Sequence, residues 1–160
     1  MNEVRVGIAE LKVSFSPSVI ITIGLGSCIG ITLFDRFKGI GGLSHIMLPD
    51  STLFATVNNP LKFADLAVPI LVDNMVKSGA SRNTLIAKIA GGASMFKFSD
   101  KSMIMDVGNR NIAAVKNILN KLAIPIISED TGGNKGRTLI LDTTTGVLQI
   151  KTVGVGLKEI

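Results

Sequence analysis

Apolar and polar residues alternate at the start of the chain, where Val4, Val6 and Ile8 sit between polar or small residues and Leu11 and Val13 continue the pattern. A period of two marks a strand with one buried face, so the N-terminus is expected to supply a first strand or hairpin. Val19 to Ile23 is an apolar run interrupted only by Thr22, and it reads as a second strand covered on both faces. A buried threonine hydroxyl must find a hydrogen-bond partner. The next strand is expected over Cys28 to Phe34, followed by the polar turn Asp35-Arg36-Phe37-Lys38-Gly39 of a hairpin and a returning strand over Ile40 to Leu48. On the returning strand Leu43, His45 and Met47 share one face, and Ser44, Ile46 and Leu48 share the other.

Helical spacing takes over beyond Pro49. Asp50 to Asn59 has no periodicity and reads as a mobile loop. Pro60 suits the first turn of a helix running to about Ser78, with Gly79 as its stop. Leu61, Ala64, Val68, Leu71 and Met75 fall on one face of it. Pro69 cannot donate to the carbonyl of Asp65, so a single bent helix is expected. Leu85 to Ala90 reads as a buried strand ending in Gly91-Gly92-Ala93. Gly108-Asn109-Arg110-Asn111 is expected to precede a second helix, capped by Asn109 or Asn111, with Ile112, Val115, Leu119 and Leu122 along one face. Ile126 to Ser128 reads as a short strand, Glu129 to Gly133 as a loop, and Thr138 to Leu141 with Val147 to Val153 as a hairpin. Strands with two helices between them and no regular βαβ alternation predict a mixed α/β domain with a largely antiparallel sheet.

A length of 160 residues suits one domain over 1–160 with one sizeable core. Hydrophobic content of 46% against 18% charged residues argues for a packed globule. The absence of Trp and Tyr counts against a single-stranded nucleic-acid binder. Net charge is +5, but Lys and Arg form no basic run, so a slightly basic surface and no nucleic-acid partner are expected. Val13 to Phe34 carries no charge, yet Pro17, three glycines and several hydroxyls make it two buried strands and not a membrane span. One cysteine cannot form an intramolecular disulfide, and Glu10 and Lys12 interrupt any signal-like apolar core; a cytoplasmic location is expected.

That cysteine is the chemical focus. Cys28 sits in Thr22-Ile23-Gly24-Leu25-Gly26-Ser27-Cys28-Ile29-Gly30, where glycines allow close backbone approach, and the single histidine, His45, follows seventeen residues later. A free thiol is only slightly ionised at neutral pH, and His45 is the one side chain able to act as its base. The blander alternative is a buried structural cysteine and a satisfied strand histidine. One Cys and one His leave a zinc site short of ligands, and no phosphate-binding glycine pattern occurs, so no metal and no cofactor are expected. Backbone N–H groups around Gly26 and Ser27, or at Gly91 and Gly92, are candidates for binding substrate or an oxyanion.

The strings GLGSCIGI, with a threonine six residues before Cys28, and GGLSHIMLP resemble the CheD family, the chemoreceptor glutamine deamidases of bacterial and archaeal chemotaxis. KIAGGASMF at Lys88 to Phe96, GNRN at Gly108 to Asn111 and EDTGGNKGR at Glu129 to Arg137 match the same family in order. The resemblance implies a protein-glutamine deamidase with Cys28 as nucleophile, His45 as base and Thr22 as the third catalytic position. It implies methyl-accepting chemotaxis receptors as substrates and a CheC-type phosphatase as regulator. It also implies a layered α/β sandwich like the catalytic domain of the cytotoxic necrotizing factors. Two alternatives stand beside this: a non-catalytic regulator that binds the phosphatase, or a cysteine amidohydrolase of another amide.

Overall fold

The computed structural model describes residues 1–94 and 106–160; Met95 and Phe96, at the end of the KIAGGASMF segment, lie outside the described residues. The described residues form β1 (Asn2–Val6), β2 (Leu11–Phe15), β3 (Ser18–Leu25), β4 (Ile29–Asp35), β5 (Ile40–Ile46), α1 (Ala64–Lys77), β6 (Ile86–Gly91), α2 (Val107–Lys121), β7 (Ile126–Thr131), β8 (Arg137–Asp142), β9 (Leu148–Thr152) and β10 (Gly156–Glu159). They make a compact α/β domain of two five-stranded sheets, ordered β1-β3-β8-β9-β10 and β2-β5-β4-β6-β7. Pairing is antiparallel except for β1 with β3 and β6 with β7.

Every residue of β4 and β5 is buried, because the second sheet is covered on both faces. On one face Ile29, Ile31, Leu33 and Ile46 pack against Ala64, Val68, Leu71 and Met75 of α1 and Val115 and Leu119 of α2. On the other, Leu43 and Ala90 pack against Ile20, Leu25, Leu139, Leu141, Leu148 and Ile150 of the first sheet. The order of layers is therefore sheet, sheet, helices. The pairing is largely antiparallel and mixed as expected, but the one sheet is corrected to two, since alternation reports which side chains share a face and not which strand lies alongside.

The same limit explains the N-terminus, where β1 and β2 do not form a hairpin. β1 joins β3, β2 joins β5, and the turn between them, with Ala9 at φ 59°, carries the chain from one sheet to the other. β3 is covered on one face only: Ile20 and Thr22 are buried, whereas Ile23 is 55% exposed. α1 begins later than its sequence pattern suggests, because Pro60–Lys62 form a separate 3-10 turn and Phe63 is extended, but it then runs unbroken through Pro69. The loop read as mobile is tied at both ends: Asp65 accepts from Ser51 N and Oγ at 2.9 and 2.6 Å, and Asn59 Nδ2 donates to Ala9 O at 3.1 Å. Glu129 to Thr131 extend β7 instead of forming a loop, and their polar side chains sit on an edge strand where Lys116 and Arg137 pair with Glu129 and Asp130. β10 has no apolar alternation, and all four of its residues are exposed. No helix among the described residues is long and apolar enough to cross a membrane.

Two glycines separate backbone strain from crowding. Gly24 has φ +81° with nothing within 4 Å of a Cβ, whereas Gly91 has φ +114° and its Cβ would fall on the Cys28 carbonyl oxygen. Gly24→Ala is expected to cost ~1–2 kcal/mol from the left-handed conformation alone. Gly91→Ala adds a clash with fixed backbone and is expected to exceed ~3 kcal/mol. Urea unfolding of the two variants checks the difference.

Candidate active site

The β4–β5 ladder sets Gly30 opposite His45. Ile29 and Ile31 point to the helices, so the alternate positions Cys28 and Gly30 face the first sheet, and Cys28 packs with the cluster that contains Leu43. Leu43 and His45 share that face of β5. Cys28, one residue before β4, and His45 of β5 thus face the same side of the second sheet, the layer between the sheets. Gly30, between them, leaves room for Leu139 and Leu25, which a Cβ there would strike. The thiol is half-buried and the imidazole fully buried.

Thr22 reaches this layer from β3 of the opposite sheet. Its Oγ1 donates to the Val6 carbonyl at 2.8 Å and lies 2.7 Å from His45 Nδ1. A hydroxyl has one proton, and with that proton on the Val6 carbonyl the bond to the ring requires Nδ1–H to donate to Oγ1. The imidazole is therefore the Nδ1–H tautomer, and its lone pair is at Nε2, which is buried with no hydrogen-bond partner among the described residues. Burial lowers the His45 pKa to about 4, and burial pushes the Cys28 thiol up, opposed in part by its own backbone N–H. A standing thiolate–imidazolium pair is disfavoured by both shifts. The arrangement is a neutral thiol beside a neutral base.

The turn carrying Cys28 is held by its carbonyls. Gly26 O accepts from Ala93 N at 2.9 Å, Ser27 O from Asn111 Nδ2 at 2.9 Å, and Cys28 O from Gly92 N at 2.8 Å. A trans peptide points its N–H away from its C=O, so the amides of Ser27 and Cys28 face the opposite way. Among the described residues no backbone carbonyl accepts from either amide, and the Cys28 amide faces its own sulfur. The Gly92 amide donates to Cys28 O at 2.8 Å. A Cβ on Gly91 would strike the Cys28 carbonyl oxygen, and one on Gly92 the side chains of Ile112 and Ile29.

Asn111 is the residue that the sequence reading misplaced. It does not cap α2, which starts at Val107 after Asp106; it is fully buried and donates to Ser27 O at 2.9 Å and Met47 O at 3.0 Å. The signal was available, since Asn111 lies on the same stripe as buried Gly108, Val115 and Leu119, and a polar residue on a core stripe needs a partner. Asn109, the other cap candidate, instead donates from Nδ2 to Asp106 Oδ1 at 2.7 Å.

Residues 47–152 match the family model described as CheD chemotactic sensory transduction. A protein of Clostridium kluyveri named "Probable chemoreceptor glutamine deamidase CheD" is 64% identical over all of this chain and 99% of its own length. Proteins with the same name from Clostridium botulinum strains Hall and Langeland are each 66% identical over the same shares. The chain belongs to the CheD family. The CheD model match begins two residues after His45, so Cys28, His45 and Thr22 lie outside it while Gly91, Gly92 and Asn111 lie within. The full-length relatives cover both parts of this CheD chain.

Thr22→Val keeps the shape of the side chain but removes both hydrogen bonds. It is expected to cost ~1–3 kcal/mol, the scale of unmade buried bonds, and to scramble the imidazole tautomer, read by nitrogen NMR of His45. In wild-type protein the ring should stay neutral at pH 6 and titrate near the depressed value of about 4. Because the folded pKa lies below the unfolded one, the contribution of His45 to stability is present above pH ~6.5 and is lost as pH falls through the folded value. Unfolding midpoints measured across that window should fall with pH, less so in His45→Gln.

Proposed function

We propose that this chain is a protein-glutamine deamidase that converts glutamines of methyl-accepting chemoreceptors to glutamates, with all of 1–160 acting as one catalytic domain. The observation that carries the reading is an Nδ1-protonated, neutral imidazole with an unpartnered Nε2 on the same sheet face as the chain's only cysteine. The relatives' printed name supplies the reaction and the substrate class. The sheet, sheet, helix layering supports likeness to the catalytic domain of the cytotoxic necrotizing factors.

Deamidation is acyl transfer through the thiol. As Cys28 Sγ bonds to the amide carbon, its proton passes to His45 Nε2, and the carbonyl electrons move to oxygen. The amides of Ser27 and Cys28 donate to that oxyanion. Nε2–H then protonates the departing nitrogen, ammonia leaves, and a thioester remains. Nε2 next takes a proton from water as the hydroxide attacks the thioester; the glutamate carboxyl forms and the thiol recovers its proton. Thr22 holds the ring so that Nε2 is the base in each half-reaction, and the imidazolium formed transiently donates from Nδ1 to Oγ1. Beside this relay, Ile8 and Ile23, each 55% exposed, border a groove of about 270 Å³ with Arg5, Val6, Gly7 and Ile21, a surface suited to the apolar side of a receptor helix.

Incubation with receptor cytoplasmic fragments, followed by mass mapping of glutamine-to-glutamate changes, tests the reading. Cys28→Ala and His45→Ala should each reduce ammonia release by roughly 10³-fold or more, and the double variant should be no worse, as for groups that act as a unit. Residual deamidation by Cys28→Ala sinks the nucleophile assignment. The kcat/KM profile should rise through an acid limb near the His45 value of about 4 and be flat through neutrality, because the imidazolium cannot accept the thiol proton. An acid limb near pH ~6.5, the ordinary histidine value, would show an unburied ring.

A further inference from the structure

We propose that Asn111 is a positioning residue that fixes the spacing of Cys28 and His45, an inference that rests on the paired roles given above. One side-chain nitrogen carries two hydrogens, and each is spent on a different segment: one on Ser27 O, in the turn before β4 and a single peptide before Cys28, the other on Met47 O, just past β5 and two residues beyond His45. No other side chain among the described residues donates to both segments. The mounting of Asn111 is rigid. A Cβ on Gly108, one turn earlier in α2, would lie 2.5 Å from Ala93 O and 2.6 Å from Gly92 O, so the helix rests directly on the backbone whose amides hold Gly26 O and Cys28 O. The helix thereby grips the nucleophile turn twice, through the β6 end and through Asn111, and reaches the histidine strand through Asn111.

Asn111 Oδ1 is buried without a partner among the described residues. An amide half-satisfied on a core stripe is a poor device for stability alone, since an unpaired buried acceptor is unfavourable. The bonds from its nitrogen are what the position supplies. Cys28 and His45 belong to neighbouring strands, but Cys28 lies outside the β4 ladder, in a turn that the ladder does not hold. Small errors in the distance from Sγ to Nε2 translate into large losses of rate.

The test compares wild type, Asn111→Ala and Asn111→Ser, each with His45 intact and with His45→Ala. Two quantities are measured: kcat and KM on a receptor fragment, and the rate at which iodoacetamide alkylates Cys28 at pH 7. Asn111→Ala is expected to lower kcat by about tenfold or more with KM within roughly a factor of two, and to slow alkylation to the level of His45→Ala. In the His45→Ala background it should change neither, because the spacing it maintains no longer matters. Asn111→Ser, with one donor, should fall between. Faster alkylation in Asn111→Ala, equal losses in both backgrounds, or an unchanged kcat would overturn the inference. If Asn111→Ala does not fold, Asn111→Ser decides by the same readouts; if neither folds, Asn111 is a fold residue and the inference is lost. Alkylation that is indifferent to His45→Ala is a separate failure, that of the reaction reading itself, and it removes the inference with it.

Discussion

A histidine enclosed between two sheets cannot carry charge cheaply, and the site depends on that constraint. His45 is supplied by the sheet that packs against the helices, whereas Thr22, which fixes its tautomer, comes from the opposite sheet. Neither sheet contains the arrangement by itself. The Thr22–His45 pair exists only where the two layers meet, beside the apolar contacts of Leu25, Leu43, Ala90 and Leu139 that join them. Burial sets the pKa, the relay sets the tautomer, and both follow from docking the sheets.

The strand pattern was readable in the sequence where burial is one-sided or where a turn is marked by its residues. Leu43, His45 and Met47 fall on one face because alternation in a strand has no other solution, and the Asp35 to Gly39 hairpin and the Thr143 to Gly146 turn follow from their polar and glycine residues. Partnership between strands was not readable. A five-residue strand such as β1 looks the same whether it pairs with β2 or β3, and only the three-dimensional packing decides. Within the site, Cys28 and His45 could be named because each is the single residue of its type in the chain, and Thr22 because it is the one polar side chain in an apolar strand run. Asn111 gave only its place on a core stripe, because asparagine near a helix start is ordinarily a cap, and its partners lie 84 and 64 residues away. At Gly91 and Gly92 the close approach that paired glycines permit is made by the chain's own backbone, the Cys28 carbonyl.

The segment that matches the family model contains little of the proposed chemistry and much of what holds it. β6 ends at the glycines under the Cys28 turn, α2 brings Asn111, and the loop after β7 is tied by buried Arg137, which donates to Asp130 at 3.3 Å and to Gly132 O at 2.8 Å. Gly133 O in turn accepts from Ser94 N at 2.8 Å, next to Ala93. The three side chains of the proposed site, Thr22, Cys28 and His45, come from the first part of the chain, and their frame is drawn from the rest.

The relay behind His45 ends on the carbonyl of Val6, a group every residue possesses. Replacing Val6 by another residue that holds the β1 strand leaves that acceptor where it is, so the last link is beyond the reach of a point substitution and is invisible to side-chain scanning. A change in register between β1 and β3 would remove it at once, since Val6 sits directly across from Thr22 in their parallel ladder. Inheritance of the tautomer is in this sense topological. It is passed on by keeping an edge strand in place, and a loss could arise by insertion or deletion in the first few residues while Thr22, Cys28 and His45 all remain.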